Sequence, residues 1–299
     1  MKISGFTIVR NAEKLHFPIK EVILSALPIV DEFIVNLGDC DPDDKTFELI
    51  NSIQSRKIKI YSRKWDLSLG GKVFSVETNY ALSKCIYDWC LYLQADEVLH
   101  ENDYEKIKNA CEYYYSNPKV EGFLFKYYHF WGDYWHYLPF HGWYQNEIRI
   151  IKNNSGIVSF GDAQSFKKNN NKKLNVILLD AYIYHYGWVR PPHIMSTKKQ
   201  IQDSIYHNKN LKNINNSNIF DYGNLNKLPT FKNTHPIVMK DKIKNFQFFT
   251  YTNQKKIKRK KFKHEKFFYK LITKIELLLF KKVNVLGGYK NWKVIGKYP

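Results

Sequence analysis

The first hundred residues alternate between short apolar runs and segments whose apolar residues recur at helical spacing. The runs at 3–9, 33–35, 58–61 and 90–93 predict strands, and the segments between them predict helices. Strands that alternate with helices are typical of a mostly parallel sheet joined by right-handed crossovers. The pattern therefore predicts an α/β fold with an open, doubly wound central sheet flanked by helices, and not a barrel.

Polar segments follow three of these predicted strands. Asn11, the acidic loop 39–44 and the segment Gln94-Ala95-Asp96-Glu97 would all lie at the carboxyl edge of the sheet, where ligands bind in such folds. Asp96 and Glu97 could hold a divalent cation that bridges a diphosphate. An adjacent carboxylate pair is also typical of a helix cap or a solvated surface, so the motif alone leaves both interpretations open.

The middle of the chain is rich in aromatic residues. Between Tyr113 and Tyr144 they are frequent enough that part of the set must form core, while flat aromatic faces also suit sugar rings. Further strands are predicted at 147–151 and 174–183. His185 follows the second of these within an aromatic run, where a buried core histidine and a ligand are both reasonable interpretations.

Charge divides the chain into two parts. The protein has 299 residues, 44% of them hydrophobic, which excludes a disordered chain. Of its net charge of +19, residues 240–299 carry +15, and residues 1–239 carry only +4. This division excludes nucleic-acid binding by the protein as a whole. The basic tail alone shows no nucleic-acid recognition motif, so no nucleic-acid partner is expected, although this second function class stays open.

The tail combines a basic run at 255–261 with a predicted amphipathic helix. Apolar residues fall on one side of that helix, namely Phe267, Phe268, Leu271, Ile272, Ile275, Leu278 and Leu279. Such a helix is typical of a contact with an anionic membrane surface. The alternative is a helix that packs on the rest of the protein with a solvated lysine face.

Cysteine usage and apolar runs bear on the compartment. Cys40, Cys85, Cys90 and Cys111 match no metal or redox spacing and are too few for a disulfide scaffold. No signal peptide is recognisable, and no window reaches the roughly 18–20 apolar residues of a membrane span. We expect a cytoplasmic protein, or one that is peripheral on the inner face of the cytoplasmic membrane.

Together these motifs resemble family 2 glycosyltransferases of the glycosyltransferase-A fold, and within them a bacterial branch that makes surface polysaccharide or lipopolysaccharide. The longest match is 184–192, Tyr-His-Tyr-Gly-Trp-Val-Arg-Pro-Pro, and 94–97 is similar to the family's Asp-x-Asp metal motif. The resemblance implies a Rossmann-like catalytic domain over 1–240, with a nucleotide-sugar half at about 1–110 and an acceptor half at about 111–240. A basic helical extension would occupy 241–299.

The resemblance also implies where the donor binds. Residues 10–13 look like the family's Asn-Glu-Glu step, 36–46 is similar to the loop that contacts base and ribose, and 70–72 with Asn79 resembles the segment over the donor. The implied donor-binding residues are Arg10, Asn11, Glu13, Asn36, Asp39, Lys72, Asn79, Gln94, Arg149 and Arg190.

Two positions depart from the family pattern. Gln94 replaces the first Asp of the metal motif, and Asn36 stands where the family usually has a base-contacting Asp. Because an amide is a poor ligand for Mg²⁺ or Mn²⁺, we expect Asp96 to hold the metal with His185 as a second protein ligand. Imidazole suits Mn²⁺ better than Mg²⁺, so manganese is the expected cofactor and magnesium the alternative.

The implied reaction is a single displacement with inversion at the anomeric carbon. The donor would be a nucleotide-diphosphate sugar, with UDP preferred, and the acceptor a hydroxyl of a glycan or lipid-linked glycan. Lys72, Arg149 and Arg190 are candidates to stabilise the departing diphosphate. Asp162, in a glycine-flanked turn, is the expected general base, with Glu147 as the alternative. The departure at Gln94 also leaves open a catalytically inactive relative that only binds nucleotide sugar.

Overall fold

The computed structural model describes residues 1–207, 219–247, 259–287 and 290–299. Its strands are β1 Ile3–Val9, β2 Glu32–Leu37, β3 Ile58–Ser62, β4 Trp89–Tyr92, β5 Glu97–Leu99, β6 Gly122–Trp131, β7 Asn146–Lys152, β8 Ile157–Phe160, β9 Ser165–Lys168, β10 Leu174–Trp188 and β11 Trp292–Tyr298. Its α-helices are α1 Ile19–Ala26, α2 Thr46–Asn51, α3 Lys72–Leu82, α4 Tyr104–Tyr113, α5 Pro192–His207, α6 Lys240–Lys244 and α7 Phe267–Phe280.

The first half of the central sheet is parallel. Its strands lie in the order β3-β2-β1-β4, and all pairings among them are parallel. β1 is buried along its whole length, as expected of a continuous apolar run covered on both faces. α1 packs against this sheet because Ile19, Val22, Ile23 and Ala26 recur at helical spacing and are buried. The predicted α/β fold with an open central sheet is confirmed.

The second half of the sheet is mixed. β7 lies between β4 and β6 and runs antiparallel to both, and β10 then continues the sheet parallel to β6. Among the described residues, five of the eight pairings in this sheet are parallel, as predicted. β6 falls in the aromatic-rich stretch, where continuous large apolar residues conceal the twofold alternation by which strands are recognised.

The end of the chain belongs to the same sheet. β11 pairs in parallel with β10 at the sheet edge, so the predicted extension 241–299 is joined to the rest of the protein through its last strand. Within the described part of the chain, no helix has the length and apolar character needed to cross a membrane. Residues 255–258 of the basic run lie outside the described residues.

Candidate active site

A cavity of about 400 Å³ opens at the carboxyl ends of β1 and β4. β1 pairs with β2 on one side and with β4 on the other, so the chain changes its direction of progress across the sheet at β1. Ligands of open α/β sheets bind at such switch points. Arg10 and Asn11 line the cavity beyond β1, and Gln94 and Asp96 line it beyond β4.

Asp96 is the acidic centre of the cavity. Its carboxylate is buried, with Oδ2 at 3.3 Å from Lys198 Nζ and Oδ1 at 3.6 Å from His185 Nε2. Burial, the largest single effect, would raise the pKa of Asp96, but its basic neighbours, with Lys198 foremost and Arg190 beside it, together outweigh burial, and the pKa lies below its usual value. Asp96 is therefore ionised in the folded protein.

Two buried cations accompany the Asp96 carboxylate. Arg190 and Lys198 both lie over the ring of Phe17, at 4.7 and 4.8 Å from its centroid. Arg190 donates through Nη1 to the carbonyl of Gly187 at 2.6 Å, while its Nε and Nη2 have no hydrogen-bond partner among the described residues. Burial, and then Arg190, lowers the pKa of Lys198 to about 7. The cluster therefore has more positive than negative charge, and unused donors that an anion would satisfy.

A pair of histidines fixes which ring nitrogen faces Asp96. His129 Nε2 lies 2.6 Å from the carbonyl of Tyr144, which can only accept, so this nitrogen donates. Burial lowers the pKa of His129 to about 3 and that of His185 to about 4, so both rings are neutral. His129 Nδ1 then accepts from His185 Nδ1 at 2.9 Å. His185 Nε2 is left with a free lone pair directed toward Asp96.

Asp96 and His185 can therefore contribute to a cation site. Two electron-pair donors, Asp96 Oδ1 and His185 Nε2, face each other at 3.6 Å without a proton between them. Among the described residues, no group of three or more His, Cys, Asp or Glu side chains forms a metal cluster. The protein thus offers two ligands here, and a bound metal would need other oxygen atoms to complete its coordination.

The predicted donor residues near β1 and β4 fall into one neighbourhood. Arg10 Nε donates to the carbonyl of Asp39 at 2.9 Å, which places that acidic loop beside the cavity wall. Asn11, in a left-handed conformation with φ of 54°, accepts from the backbone N–H of Asp41 at 2.7 Å. Gln94 Nε2 donates to the carbonyl of Ala163 at 3.3 Å. Gln94 thereby connects β4 to the turn that carries Asp162.

The other predicted donor residues do not line the cavity, and this includes Arg190, which instead contacts Phe17 of the cavity wall. Asn36 is fully buried and donates to both the backbone carbonyl and a carboxylate oxygen of Glu77 in α3. Asn79 pairs through both amide atoms with the backbone of Ser159, at 2.8 and 3.0 Å. Glu13 and Lys72 are exposed. Asn36 therefore connects α3 to β2, and Asn79 connects α3 to β8.

Arg149 lies beneath the site. Its guanidinium is fully buried and binds the Glu97 carboxylate through two bonds of 2.6 and 2.7 Å, between the rings of Tyr92 and Tyr127. It also donates to the carbonyl of Gln164 at 2.9 Å. Arg149 is fully paired in this arrangement and does not reach the cavity wall, so it supports the turn 161–164 from below.

The two candidate bases occupy different environments. Asp162 is exposed, lines the cavity and accepts from the Tyr206 hydroxyl at 3.3 Å. Glu147 is buried and accepts from Gln164 Nε2 at 2.7 Å, while its Oε2 has no partner among the described residues. Burial raises the pKa of Glu147 to about 7. Only Asp162 belongs to the cavity wall.

The aromatic-rich stretch serves mostly as core. Phe123, Phe125, Phe130 and Trp131 are fully buried. Trp143 and Tyr144, at the end of the stretch, line the cavity, as do several aromatic residues from elsewhere, namely Phe17, Trp65, Phe74, Tyr92, Trp188 and Tyr206. The cavity therefore has flat apolar walls beside its charged floor, and most of those walls come from outside the stretch that the sequence singled out.

Three residues of the site escaped sequence analysis. Lys198 reaches Asp96 only because α5 folds back over the cavity, and its one sequence signal is its place in the helix after the 184–192 motif. His129 meets His185 through the register of β6 and β10. Gln164 lies two residues after Asp162, and its bond to Glu147 has no sequence signature.

Comparison with known proteins finds only distant structural likeness. No protein-family model matches the sequence, and no curated protein does. Three solved structures match as follows. S. aureus TarS has a TM-score of 0.42 and 14% identity over 72% of this chain and 41% of its own. A mannosyltransferase from Pyrobaculum calidifontis, in complex with GDP-Man and Mn²⁺, has a TM-score of 0.31 and 15% identity over 41% and 34%. Glucosyl-3-phosphoglycerate synthase from Mycobacterium tuberculosis, in complex with Mn²⁺, UDP and phosphoglyceric acid, has a TM-score of 0.29 and 17% identity over 43% of each chain. The match spans less than half of each of these three proteins.

Proposed function

We propose that this protein is a glycosyltransferase that moves a sugar from a nucleotide-diphosphate donor, UDP by preference, to a hydroxyl of a glycan or lipid-linked glycan. The observation that carries the proposal is the charge imbalance around Asp96, where Asp96 and Lys198 line the cavity and Arg190 contacts Phe17 of its wall. Arg190 and Lys198 are buried against the Asp96 carboxylate, and Arg190 has unused N–H groups. A diphosphate would supply the missing negative charge at the switch point of the sheet.

The diphosphate is the leaving group of this reaction, so cations beside it act on the rate as well as on binding. Negative charge grows on the β-phosphate as the bond to the sugar breaks. Arg190 and Lys198 are already placed in a dry environment, where their charges are weakly screened. Of the three cations predicted from sequence, we retain Arg190 for this role. We do not retain Arg149, because it is paired with Glu97, or Lys72, because it is exposed. We add Lys198, which lines the cavity.

The donor set at Asp96 and His185 fits a divalent ion, with Mn²⁺ preferred because of the imidazole ligand. When bound, such an ion would neutralise part of the diphosphate charge. His129 would act as a positioning residue, because its bond to His185 Nδ1 keeps the Nε2 lone pair directed toward Asp96. Gln94 would contribute its amide hydrogen bonds in place of a carboxylate ligand.

Asp162 is the proposed general base. It lines the cavity from the turn 161–164, where Gly161 and Ala163 both have φ of 62° and expose the side chain between them. An acceptor hydroxyl in the cavity could then reach its carboxylate, and direct attack would invert the anomeric carbon. Glu147 would stabilise the same turn by accepting the hydrogen bond from Gln164.

Replacement of Asp162 by asparagine tests the proposal. We expect the rate of sugar transfer from UDP- or GDP-sugars to fall about 10²- to 10⁴-fold, because the hydroxyl loses its base. The affinity for the nucleotide, measured by calorimetry with and without Mn²⁺, should stay unchanged. Asp203→Asn, at an exposed position of α5 outside the cavity wall, is the matched control.

Two outcomes would count against this assignment. Near-normal transfer by the Asp162→Asn variant would shift the role of base to Glu147, to be tested with Glu147→Gln. If the unmodified protein binds nucleotide but shows neither sugar transfer nor slow release of free nucleotide, the protein would be an inactive relative that only binds nucleotide sugar.

A further inference from the structure

Helix α7 contacts the rest of the protein through its polar side. Glu276 is fully buried and accepts hydrogen bonds from His141 Nδ1 at 3.0 Å and from three successive backbone N–H groups at 284–286, at 2.7 to 2.8 Å. Thr273 accepts from the backbone N–H of His141 at 3.0 Å. These bonds define one orientation of the helix, with its carboxylate facing inward.

A glycine permits the close approach of this helix. Gly142 has φ of +86°, and a Cβ atom at this position would lie 2.8 Å from the Tyr269 ring of α7. Asn284, just after the helix, donates to the carbonyl of Trp143 at 2.5 Å. Because Trp143 lines the cavity, the segment that follows α7 is connected directly to one cavity wall.

The apolar side of α7 faces away from the protein. Leu278 is 83% exposed and Phe267 is 80% exposed, and the other exposed apolar residues of the helix include Phe268, Leu271, Ile275 and Leu279. A soluble helix normally buries this side and exposes its charges. The reverse orientation leaves a contiguous apolar surface, which marks an interaction site.

Lysines border this surface. Lys270 and Lys274 are exposed and lie one helical turn apart on the same side of α7, and the exposed Lys281 immediately follows the helix. The only acidic residue of the helix, Glu276, is buried beneath it. Two copies joined through this surface would bring their lysines together, whereas an anionic surface would attract them. The charge pattern thus favours an anionic occupant over a second copy of the chain.

A basic pocket adjoins the lysine side. It has a volume of about 200 Å³, and its wall includes Lys227, Lys261, Lys270 and His264. His264 is 2% exposed, and its Nδ1 has no hydrogen-bond partner among the described residues. The carboxylate in the wall, Glu265, is already bound by Arg259 at 2.6 and 2.8 Å. The pocket therefore suits a phosphate group beside an apolar surface.

We propose that α7 lies in the interface of an anionic phospholipid membrane. Its exposed apolar side would enter the acyl boundary, its lysines would contact lipid phosphates, and the basic pocket would take one headgroup phosphate. Membrane binding does not depend on the proposed reaction. Through Asn284 and Trp143 the cavity wall would be held near the membrane, which, if the proposed function holds, favours a lipid-linked acceptor.

Flotation of the full chain with vesicles tests this proposal without any donor present. We expect binding to vesicles of phosphatidylcholine with phosphatidylglycerol, and little binding to phosphatidylcholine alone. Leu278→Ser should weaken binding about tenfold or more, because the leucine no longer transfers from water to the apolar phase. Changing Lys270, Lys274 and Lys281 to alanine should weaken it about fivefold per lysine.

Matched controls distinguish binding through this surface from nonspecific hydrophobic adsorption and from attraction by the overall positive charge. Ile86→Ser alters an exposed apolar residue elsewhere, 64% exposed, and should leave binding unchanged. Alanine at the exposed Lys108, Lys119 and Lys172 removes the same total charge from other surfaces and should have a much smaller effect. Circular dichroism of each variant checks that the fold is retained.

Several results would overturn the proposal. They are equal binding to neutral and anionic vesicles, unchanged binding of Leu278→Ser, or a dimer that forms through α7 in light scattering while vesicles remain unbound. Nucleotide calorimetry on the same preparations reports on the proposed reaction separately, so the two proposals can fail independently.

Discussion

Lys198 provides the sharpest test of the charge imbalance around Asp96. Lys198→Met removes the ammonium group and keeps an unbranched side chain of similar length. The lost contact is a charge-assisted bond in a buried environment, worth about 1.5 to 3 kcal/mol. The dissociation constant for UDP or GDP should therefore rise about 10- to 150-fold. Uridine, which lacks phosphate, should bind with unchanged affinity.

The same substitution should have little effect on stability. Burial already disfavours the charged form of Lys198, whose pKa is lowered to about 7, and Arg190 remains close enough to lower the pKa of Asp96. We expect the free energy of unfolding to change by no more than about 1 kcal/mol, because Asp96 keeps Arg190 as a counter-charge and the variant no longer bears the cost of burying the ammonium group. Calorimetry with nucleotide and thermal unfolding without it measure the two effects separately.

Lys199→Met is the matched control, since Lys199 is the next residue of α5 and is exposed. It should alter neither nucleotide affinity nor stability. The reasoning would be refuted if Lys198→Met lowered stability but bound UDP as tightly as Lys199→Met. That result would mean that Lys198 serves only as the structural partner of Asp96.

Three further substitutions test the structure around the cavity. Glu97→Gln should lower the free energy of unfolding by about 3 to 5 kcal/mol in urea titrations, because it leaves the buried Arg149 without its carboxylate. Asn79→Ala should cost about 1 to 3 kcal/mol, because the Ser159 backbone loses both partners, and should leave nucleotide affinity unchanged. Glu147→Gln should abolish the fall in the free energy of unfolding that the unmodified protein shows as the pH rises toward 7. Burial raises the pKa of Glu147 from 4.5 to about 7, so the stability present below pH 4.5 falls by about 3 kcal/mol as the pH rises from about 4.5 through 7.

Each of these has an outcome that would contradict it. An unchanged midpoint for Glu97→Gln would show that Arg149 is solvated rather than buried. Weaker nucleotide binding by Asn79→Ala, with full stability, would restore the donor-binding role suggested by its sequence context. For Glu147, the group is surrounded by Arg149, Glu97, Gln164 and Ser165, so an identical pH profile for the variant would mean that Arg149 keeps the carboxylate ionised throughout.

Sequence reasoning worked best where structure depends on neighbours along the chain. The apolar run at Ile3–Val9 coincides with β1, and the helical spacing after it coincides with α1. The position of Gln94 and Asp96 beyond β4 follows from the order of these elements, because parallel strands end at one edge of the sheet. Asp96 and His185 were expected from motif resemblance to hold a metal; the structure places their side chains 3.6 Å apart, and the metal role stays a prediction.

The sequence by itself determined the local elements, the edge of the sheet that carries the polar loops, and the existence of an amphipathic helix near the end. Only the tertiary structure decided that Lys198 reaches Asp96 across 102 residues, and that His129 meets His185 through strand register. It also decided that α7 turns Glu276 inward and Leu278 outward. Periodicity reveals that a helix has two different sides, but which side packs depends on the partners that distant residues provide.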